Sequence, residues 1–429
     1  MKVAFYTLGC KVNQYETQAL EQMLTARGHE LVPFEGEADA YVINTCTVTA
    51  VSDKKSRQVI RRARKSAPDA IIAVCGCYPQ THPQDMDELS IDLVSGTGDR
   101  TGFVELLERT WQERQPITAL DDAFKRRVFE VLPAGGLEGR TRAMMKVQDG
   151  CVNFCTYCII PYARGPIRSL PLCEATRQAA QLAGEGYQEL VLTGIEISSW
   201  GHELKDGSSP IDLIEAVCAA APGCRIRLGS LEPRTITEEF CRRAAKLNNL
   251  CPHFHLSMQS GCDTVLKRMN LKYDTTRFYE SVCLLRKWFD DPAITTDMIV
   301  GFPGEMEEEF AATLAFIQKC AFSAMHIFPY SRRPGTPADK MPDQITKDVK
   351  EERAHRGAAI AAQMERAYLE RQVGQEVPVL FEEQRNGLWR GYTTRYTEVL
   401  TDSAENLHNQ VRTVRITKLE GGALYADLL

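Results

Sequence analysis

The sequence predicts an α/β protein in three parts: a doubly wound parallel sheet, a barrel of βα units, and a small all-β barrel. Three observations lead to this prediction. Apolar strands alternate with helical segments over residues 1–112, and the same alternation resumes after a break. Residues 371–429 then change to short, alternating, β-branched strands. A chain of 429 residues is long enough for each part to bury its own core.

Composition narrows the class of protein. Acidic residues outnumber basic ones by 57 to 51, giving a net charge of −6, which excludes a uniformly cationic nucleic-acid-binding protein but not a local basic patch. No apolar stretch reaches the ~18 residues that a membrane-spanning helix needs. The first residues also turn polar too early for a signal peptide. We therefore expect a soluble, cytoplasmic protein without a membrane partner.

The N-terminal domain is predicted over residues 1–112. Short apolar runs mark its strands, and segments of helical periodicity separate them, as in a parallel sheet with helices on both faces. The predicted strands are 2–8, 39–45, 70–76 and 91–96, and the predicted helices are 15–28, 51–65 and about 101–113.

Residues 113–139 lose this periodicity and contain prolines and a Gly-Gly pair, so we interpret them as a linker. The second βα series occupies 140–370 and ends in a long helix near 346–372. Six βα units over this length indicate a parallel barrel, complete or partial. The predicted strands are 143–148, 189–194, 225–230, 253–258, 294–301 and 325–330.

The C-terminal part, residues 371–429, contains Asn-Gly and Gly-Gly turns between short β-branched segments. Its length and pattern predict a small all-β barrel.

Cysteine is unusually abundant, with fifteen residues in a chain that lacks a secretion signal. Cytosolic thiols stay reduced, so a disulfide framework is not expected. Buried free cysteine is common, and we expect most of these residues to be packing residues.

Three cysteines form a compact motif directly after the first barrel strand. Cys151, Cys155 and Cys158 have the spacing C-x3-C-x2-C on one loop. Three thiolates can hold three irons of a [4Fe–4S] cube and leave the fourth iron open. A structural zinc site would need a fourth ligand that this loop does not offer. The alternative is three core cysteines that cluster by chance.

This loop resembles the cluster loop of the radical S-adenosylmethionine (SAM) superfamily, whose partial βα barrel matches the predicted units. The resemblance implies that the open iron binds SAM and that the reduced cluster cleaves it to a 5′-deoxyadenosyl radical. Polar and small residues at the carboxyl ends of the other strands are candidates for SAM binding, although ordinary turn chemistry also explains them singly. They are Thr193, Gly194, Glu196, Ser230, Gln259 and Asp297.

A second group of cysteines follows three strands of the N-terminal domain. Cys10, Cys46 and Cys77 each lie at the carboxyl end of a predicted parallel strand, the edge at which open α/β sheets bind ligands. Folding would bring them into one crevice as a second three-thiolate site. Three packed thiols are the alternative interpretation.

The segments around these cysteines resemble the methylthiotransferases. The matching motifs are Thr7–Glu16, Asn44–Val48, Gly76–Gln80, Met258–Gly261, Asp297–Glu305 and Phe328–Ser331. The resemblance implies an auxiliary [4Fe–4S] cluster on Cys10, Cys46 and Cys77, a radical-SAM barrel, and a C-terminal TRAM domain, an OB-like RNA-binding barrel. It also selects Cys77 over Cys75, which becomes a core thiol.

The same resemblance implies a substrate and partners. Family members act on isopentenyladenosine in tRNA, on threonylcarbamoyladenosine in tRNA, or on an aspartate of a ribosomal protein. The opening Gly-Cys-Lys-Val-Asn-Gln-Tyr-Glu-Thr is most similar to the threonylcarbamoyladenosine branch. We therefore expect methylthiolation at C2 of adenosine 37 in the anticodon stem-loop, with two [4Fe–4S] clusters and two SAM per turnover. A sulfur source and an electron donor such as flavodoxin or ferredoxin are also implied.

Candidate RNA contacts come from charge and aromatic residues. Residues 51–65 contain seven basic residues and the single acid Asp53, although such a run is also typical of a solvated helix face. Aromatic side chains of the C-terminal barrel could stack on bases or belong to its core. The candidates are Lys54, Lys55, Arg57, Arg61, Arg62, Arg332, Arg333, Trp389 and Tyr392.

A hypothesis of another class remains open. A metal-stabilised RNA-binding protein without catalysis would use the same cysteines to hold zinc, and it would not cleave SAM.

Overall fold

The computed structural model describes residues 1–136 and 140–429. Its N-terminal part is a six-stranded parallel sheet in the order β2-β1-β3-β4-β5-β6. The elements are β1 Lys2–Thr7, α1 Lys11–Ala26, β2 Glu30–Val32, β3 Ala40–Thr45, α2 Ala50–Ser66, β4 Ile71–Gly76, α3 Cys77–Thr81, β5 Leu93–Ser95, α4 Arg100–Glu113 and β6 Ile117–Ala119.

Helices cover both faces of this sheet, as the doubly wound prediction requires. Val59 and Ile60 of α2 pack in a core on one face, and Leu20 of α1 and Phe103 of α4 pack on the other. Every residue of β3 and β4 is buried, which explains why these two strands are apolar runs without alternation.

The segment interpreted as a linker is more ordered than the sequence indicates. Its residues 117–119 form β6, the edge strand of the N-terminal sheet. Phe129, Leu132 and Ala134 then pack in the core of the central barrel. The linker interpretation is wrong for these parts because three-residue strands carry almost no periodic signal. Residues 137–139 of the predicted linker lie outside the described residues.

The central part contains the six predicted βα units and ends in a long helix. Its elements are β7 Arg142–Asp149, α5 Ile160–Arg164, β8 Arg168–Ser169, α6 Leu172–Gly184, β9 Glu189–Gly194, α7 Pro210–Ala220, β10 Arg225–Leu228, β11 Ser230–Leu231, α8 Glu238–Ala244, β12 His253–Gln259, α9 Asp263–Arg268, α10 Thr275–Trp288, β13 Ala293–Val300, α11 Glu307–Cys320, β14 Ala324–Pro329 and α12 Lys347–Glu370.

These strands form two half-sheets, β10-β9-β7-β8 and β11-β12-β13-β14. The predicted strand 225–230 divides at Gly229, so that β10 pairs with β9 and β11 pairs with β12. A side chain at Gly229 would approach the Leu192 carbonyl oxygen at 3.0 Å. The two halves therefore continue into one another through this strand and form a partial barrel with an open side between β14 and the β7–β8 edge.

The N-terminal domain docks across this open side. On the β7 side, Tyr15 of α1 donates a hydrogen bond to the Leu132 carbonyl at 2.9 Å and packs in the barrel core. Beyond β14, Arg333 pairs with Asp53 of α2 at 2.6 Å. The cysteine-bearing edge of the N-terminal sheet thereby faces the barrel.

The C-terminal part is a closed five-stranded barrel in the order β15-β16-β17-β19-β18. The strands are β15 Glu376–Arg385, β16 Leu388–Thr393, β17 Glu398–Thr401, β18 Gln410–Glu420 and β19 Ala423–Leu428. Throughout the described residues, no helix combines the length and apolarity needed to span a membrane.

Two candidate cluster sites and a cofactor cavity

The first candidate site lies at the carboxyl ends of three adjacent strands. Cys10 follows β1 and precedes α1, Cys46 follows β3, and Cys77 begins α3 directly after β4. The strand order β1-β3-β4 brings the three loops side by side. Parallel strands place their carboxyl ends at one edge, so residues 36 and 31 positions apart in sequence become neighbours.

Close packing and one asparagine fix these loops. Gly9 has φ +104°, and a Cβ there would lie 2.8 Å from the Cys46 Cβ, so only glycine fits at this position. The Asn13 amide donates to the carbonyls of Leu8 and Thr45, both at 2.9 Å. Asn13 therefore ties the Cys10 loop to the Cys46 loop.

Two thiols of this triad lie in a desolvated site. Burial raises the pKa of Cys77 to about 12, with the Arg164 guanidinium opposing the shift. Burial also raises the pKa of Cys46. Both thiols are therefore neutral at pH 7 unless a metal displaces the proton.

Cys75 points away from this site. It is fully buried among apolar residues, including Ala73 and Phe103, on the α1–α4 face of the sheet. Gly76, at φ +101°, turns the chain between Cys75 and Cys77. The geometry agrees with the interpretation of Cys75 as a core thiol.

The second candidate site is the loop that carries Cys151, Cys155 and Cys158. Its start is fixed by a hydrogen bond from the Cys151 amide to the Gly165 carbonyl at 3.0 Å. Its middle crosses to the opposite half of the barrel, where the Thr156 amide donates to the Met269 carbonyl at 3.0 Å. Both half-sheets therefore hold the loop over the mouth of the barrel.

This loop lines a cavity of about 150 Å³. Burial raises the pKa of both Cys151 and Cys158 to about 12. Burial, reinforced by the neighbouring Glu232 carboxylate, raises the pKa of Glu196 to about 7. The cavity thus combines three thiols with a carboxyl group whose pKa lies above that of an exposed glutamate.

Only half of the predicted SAM contacts line this cavity. Glu196, Ser230 and Gln259 do so. Thr193 is buried below it. Gly194 packs against Gln148, so closely that a Cβ at Gly194 would lie 3.0 Å from the Gln148 Cβ.

Asp297 also lies apart from the cavity lining. It faces His255, with its carboxylate 3.4 Å from the Nε2 atom. The roles of Thr193, Gly194 and Asp297 in SAM binding stay predictions. The three residues lie outside the cavity lining, because a position at a strand end does not fix the depth at which a side chain points.

Several further polar residues line the cavity, and of these the sequence marks only Glu232. Glu232 and Arg234 form an ion pair at its wall, with a 2.8 Å hydrogen bond. Asn270 and Lys272 approach from the loop after α9. Glu232 lies at the same strand end as Ser230, and that position marks it as a candidate. The loop residues belong to no strand end, so nothing local marked them.

A buried network of charges joins the two cysteine sites. Glu16 of α1 accepts from Arg100 of α4 at 2.9 Å and from Lys146 of β7 at 2.8 Å. Arg164, six residues after Cys158, also pairs with Glu16 and donates to Asn13 at 2.7 Å. These cations hold the pKa of Glu16 well below its usual range despite its burial. The network fixes the two domains relative to each other.

The cysteine spacing bears on the kind of metal centre. Within 1–136 and 140–429, no three His, Cys, Asp or Glu side chains are spaced to hold one metal ion. A tetrahedral zinc needs its sulfur ligands about 2.3 Å from a single metal. A [4Fe–4S] cluster binds each cysteine through a separate iron. Each triad offers three cysteine ligands, which is one fewer than a structural zinc site needs and the number that leaves one iron of a cube open.

The predicted RNA-binding helix is partly available to a ligand. Lys54, Lys55, Arg61 and Arg62 are exposed on α2. Arg57 is half-buried and donates to the Tyr78 hydroxyl at 2.7 Å.

Two other predicted RNA contacts are wrong. Arg333 is 2% exposed and is held by Asp53 and Thr47. Trp389 is 8% exposed in the core of the C-terminal barrel. Neither side chain can reach a nucleotide without unpacking.

Arg332 and Tyr392 are also engaged within the chain. Arg332 is exposed but pairs with Asp339 at 3.0 Å. Tyr392 stacks on Tyr396 with 5.0 Å between ring centroids, and the Arg142 guanidinium lies 4.6 Å from its ring. The tyrosine pair thus contacts the central barrel.

Two family descriptions match the chain. Residues 2–96 match the uncharacterized protein family UPF0004, and residues 145–317 match the radical SAM superfamily. The matched ranges contain all six candidate cluster cysteines.

Relatives match almost the whole chain. The threonylcarbamoyladenosine tRNA methylthiotransferase MtaB of Bacillus subtilis (strain 168) is 43% identical over 422 residues, which cover 97% of this chain and 94% of the relative. The chain belongs to the radical-SAM methylthiotransferase family. The protein of the same name from Aquifex aeolicus is 36% identical over 91% of this chain and 95% of the relative.

Other relatives of this methylthiotransferase are named for a different target. The tRNA-2-methylthio-N(6)-dimethylallyladenosine synthase of Symbiobacterium thermophilum is 32% identical over 100% of this chain and 94% of the relative. Among solved structures, the radical SAM methyltransferase TsrM from Kitasatospora setae has a TM-score of 0.58 at 16% identity, over 79% of this chain and 75% of that one. That likeness confirms the radical-SAM fold.

Proposed function

We propose that this methylthiotransferase adds a methylthio group to C2 of N6-threonylcarbamoyladenosine at position 37 of tRNA. One observation carries the proposal: two cysteine triads, one on each of two docked domains, in a chain 43% identical to a named threonylcarbamoyladenosine tRNA methylthiotransferase. The target C–H bond is unactivated, so side-chain acids and bases are inadequate and cofactors must supply the reaction.

The cysteines divide between two [4Fe–4S] clusters in this proposal. Cys10, Cys46 and Cys77 of the N-terminal domain (residues 1–112) hold the auxiliary cluster. Cys151, Cys155 and Cys158 of the radical-SAM domain (residues 140–370) hold the other. Bound there, the clusters and two SAM molecules per turnover would supply the radical and the methylated sulfur.

The chain itself provides binding and orientation. In the cavity beside Cys151, the Arg234 guanidinium suits the SAM carboxylate, and Glu196 suits its amino or ribose groups. The ion network around Glu16 holds the N-terminal domain over the barrel opening, with the cysteine-bearing edge of its sheet facing the barrel.

We infer tRNA binding from the exposed cations of α2 and from the C-terminal domain (residues 371–429), which we assign as TRAM. The protein would act in the cytoplasm, where a sulfur source and a donor such as flavodoxin or ferredoxin supply sulfur and electrons. Reductive SAM cleavage calls for a cluster near the low end of the roughly −700 to +450 mV range.

Three substrates presented separately to the reconstituted enzyme test the proposal. They are a stem-loop with threonylcarbamoyladenosine, the same stem-loop with dimethylallyladenosine, and the ribosomal protein that other family members modify. We expect mass spectrometry to show hydrogen replaced by methylthio only in the first. Modification of either other substrate in its place would assign the protein to another branch, and colourless zinc-containing protein would reject the chemistry.

A further inference from the structure

The interior of the central barrel carries a group of cations near the N-terminal cluster site. In β10, Ile226 and Leu228 pack in the hydrophobic core, so Arg225 and Arg227 face the interior. The same alternation in β12 places His253 on the interior side. These residues lie toward the amino ends of the strands, below the proposed SAM cavity.

Two carboxylates neutralise part of this charge. Glu189 of β9 pairs with Arg225 at 2.7 Å, with Arg227 at 2.8 Å and with Arg142 at 3.2 Å. Arg142 also reaches Glu382 of the C-terminal barrel at 2.6 Å. Three guanidinium groups therefore share two carboxylates.

Lys11 adds a fourth cation to this group. It follows Cys10 at the start of α1, the helix that lies across the open side of the barrel. Burial lowers the pKa of Lys11, and the nearby Arg227 and Arg142 lower it further. Lys11 lies one helical turn before Tyr15, whose side chain packs in the barrel core, so the two residues share the face of α1 that is turned toward the barrel. The Lys11 side chain is solvent-accessible. In the part of the chain that the structure describes, it has no hydrogen bond or ion pair.

The Glu189 carboxylate is already engaged by three arginines and is not free for Lys11. All three nitrogens of the Arg227 guanidinium already bind Glu189 or the carbonyls of Thr393 and Thr394. Burial, followed by Arg227, holds the pKa of His253 well below its usual range, so that ring stays neutral. Four cations thus face two carboxylates, and the ammonium of Lys11 keeps its donors free.

We propose that Lys11 binds the carboxylate of the threonyl group on the substrate adenosine, in the positive field of Arg227 and Arg142. This inference rests on the proposed function. Threonylcarbamoyladenosine carries a carboxylate at its N6 substituent, whereas dimethylallyladenosine carries a hydrocarbon that would leave the cations unpaired. Lys11 would therefore determine which modified adenosine is accepted.

Lys11 could also bind other negatively charged groups, namely an RNA phosphate or an anionic cluster beside Cys10. The experiment separates these sources by changing only the substrate carboxylate. It compares a stem-loop carrying threonylcarbamoyladenosine with the same stem-loop carrying the threonyl carboxamide. Binding to the reconstituted full-length protein is measured by fluorescence anisotropy, together with iron content.

We expect the wild type to prefer the carboxylate RNA by about tenfold or more, as for a charge-assisted hydrogen bond. Lys11→Met should remove this preference and leave both the affinity for the carboxamide RNA and the iron content unchanged. Lys11→Arg should keep most of the preference. Lys246→Met, which removes an exposed lysine after α8, should behave as the wild type.

Three results would overturn the inference. Equal weakening of both RNAs by Lys11→Met would show a phosphate contact, loss of iron would assign Lys11 to the cluster, and an unchanged preference would exclude Lys11 from recognition. Failure of the proposed function is separate: it would appear as wild-type protein that methylthiolates the dimethylallyladenosine stem-loop but not the threonylcarbamoyladenosine one.

Discussion

Cys75 and Cys77 lie two residues apart at the end of β4, yet their surroundings differ. Cys75 packs among apolar side chains of one sheet face, whereas Cys77 begins α3 beside Cys46 and Cys10. We expect Cys77→Ala to lose the auxiliary cluster. Cys75→Ala should keep it and lower the free energy of unfolding by only ~1–2 kcal/mol, because it removes one small buried group.

Iron analysis of the two variants, with thermal unfolding alongside, checks this expectation. Retained iron in Cys77→Ala together with loss in Cys75→Ala would transfer the ligand role to Cys75.

The role of a residue could be predicted where its neighbours in the sequence mark it. It could not be predicted where it depends on a residue far along the chain. The six candidate cluster cysteines follow strands or share one short motif. Arg333 was expected on the surface. The sequence does not reveal its burial, because Asp53, the residue it pairs with, is 280 positions away. Trp389 was expected at an RNA surface, since nothing in an alternating strand tells which of its two faces is the core.

At the scale of elements, α2 is the exposed basic surface beside the Cys46 loop. Asp53, the one acid of the run, is neutralised by Arg333, so the outer face of the helix stays cationic. We expect replacement of Lys54, Lys55 and Arg61 by Gln to weaken tRNA binding and reduce its salt dependence. Each lost phosphate contact would lower the log–log slope by up to about 0.9 in duplex regions.

Titrations of tRNA binding against salt measure this slope. Lys319→Gln, on the distant helix α11, serves as the control and should leave it unchanged. An unaltered slope in the α2 variant would mean that this helix is a solvated face without a role in RNA binding.

The longer strands and helices could be predicted, because apolar residues recur in them with a regular period. The three residues of β6 were too few to show a period. The division of the third barrel strand at Gly229 was also hidden, because it depends on pairing with two different neighbours.

At the scale of the whole molecule, two buried carboxylates support the contacts between the three parts. Glu189 holds the arginines that donate to the C-terminal barrel, and Glu16 pairs with cations of the central barrel. Although burial alone would raise it, Arg227, Arg225 and Arg142 lower the pKa of Glu189 to about 2. A carboxyl group with a lowered pKa stabilises the folded state above its unfolded pKa of about 4.3, and this stabilisation is lost as pH falls toward the folded value. Glu16 acts in the same direction at the other interface.

We therefore expect thermal stability to fall between about pH 4.5 and pH 2. Melting curves across this range check the expectation, and Glu189→Gln should be less stable at pH 7 and lose less on acidification. A melting temperature that is independent of pH over the range would contradict the stabilising role of these ion pairs.

The central claim is that one chain holds two clusters, and iron analysis of anaerobically reconstituted protein tests it most directly. Two cubes predict about eight irons in the wild type. Replacing Cys10, Cys46 and Cys77 by Ala should leave about four irons with SAM cleavage intact. Replacing Cys151, Cys155 and Cys158 should also leave about four, without SAM cleavage. About four irons in the wild type, unchanged by one of the triple replacements, would contradict the account.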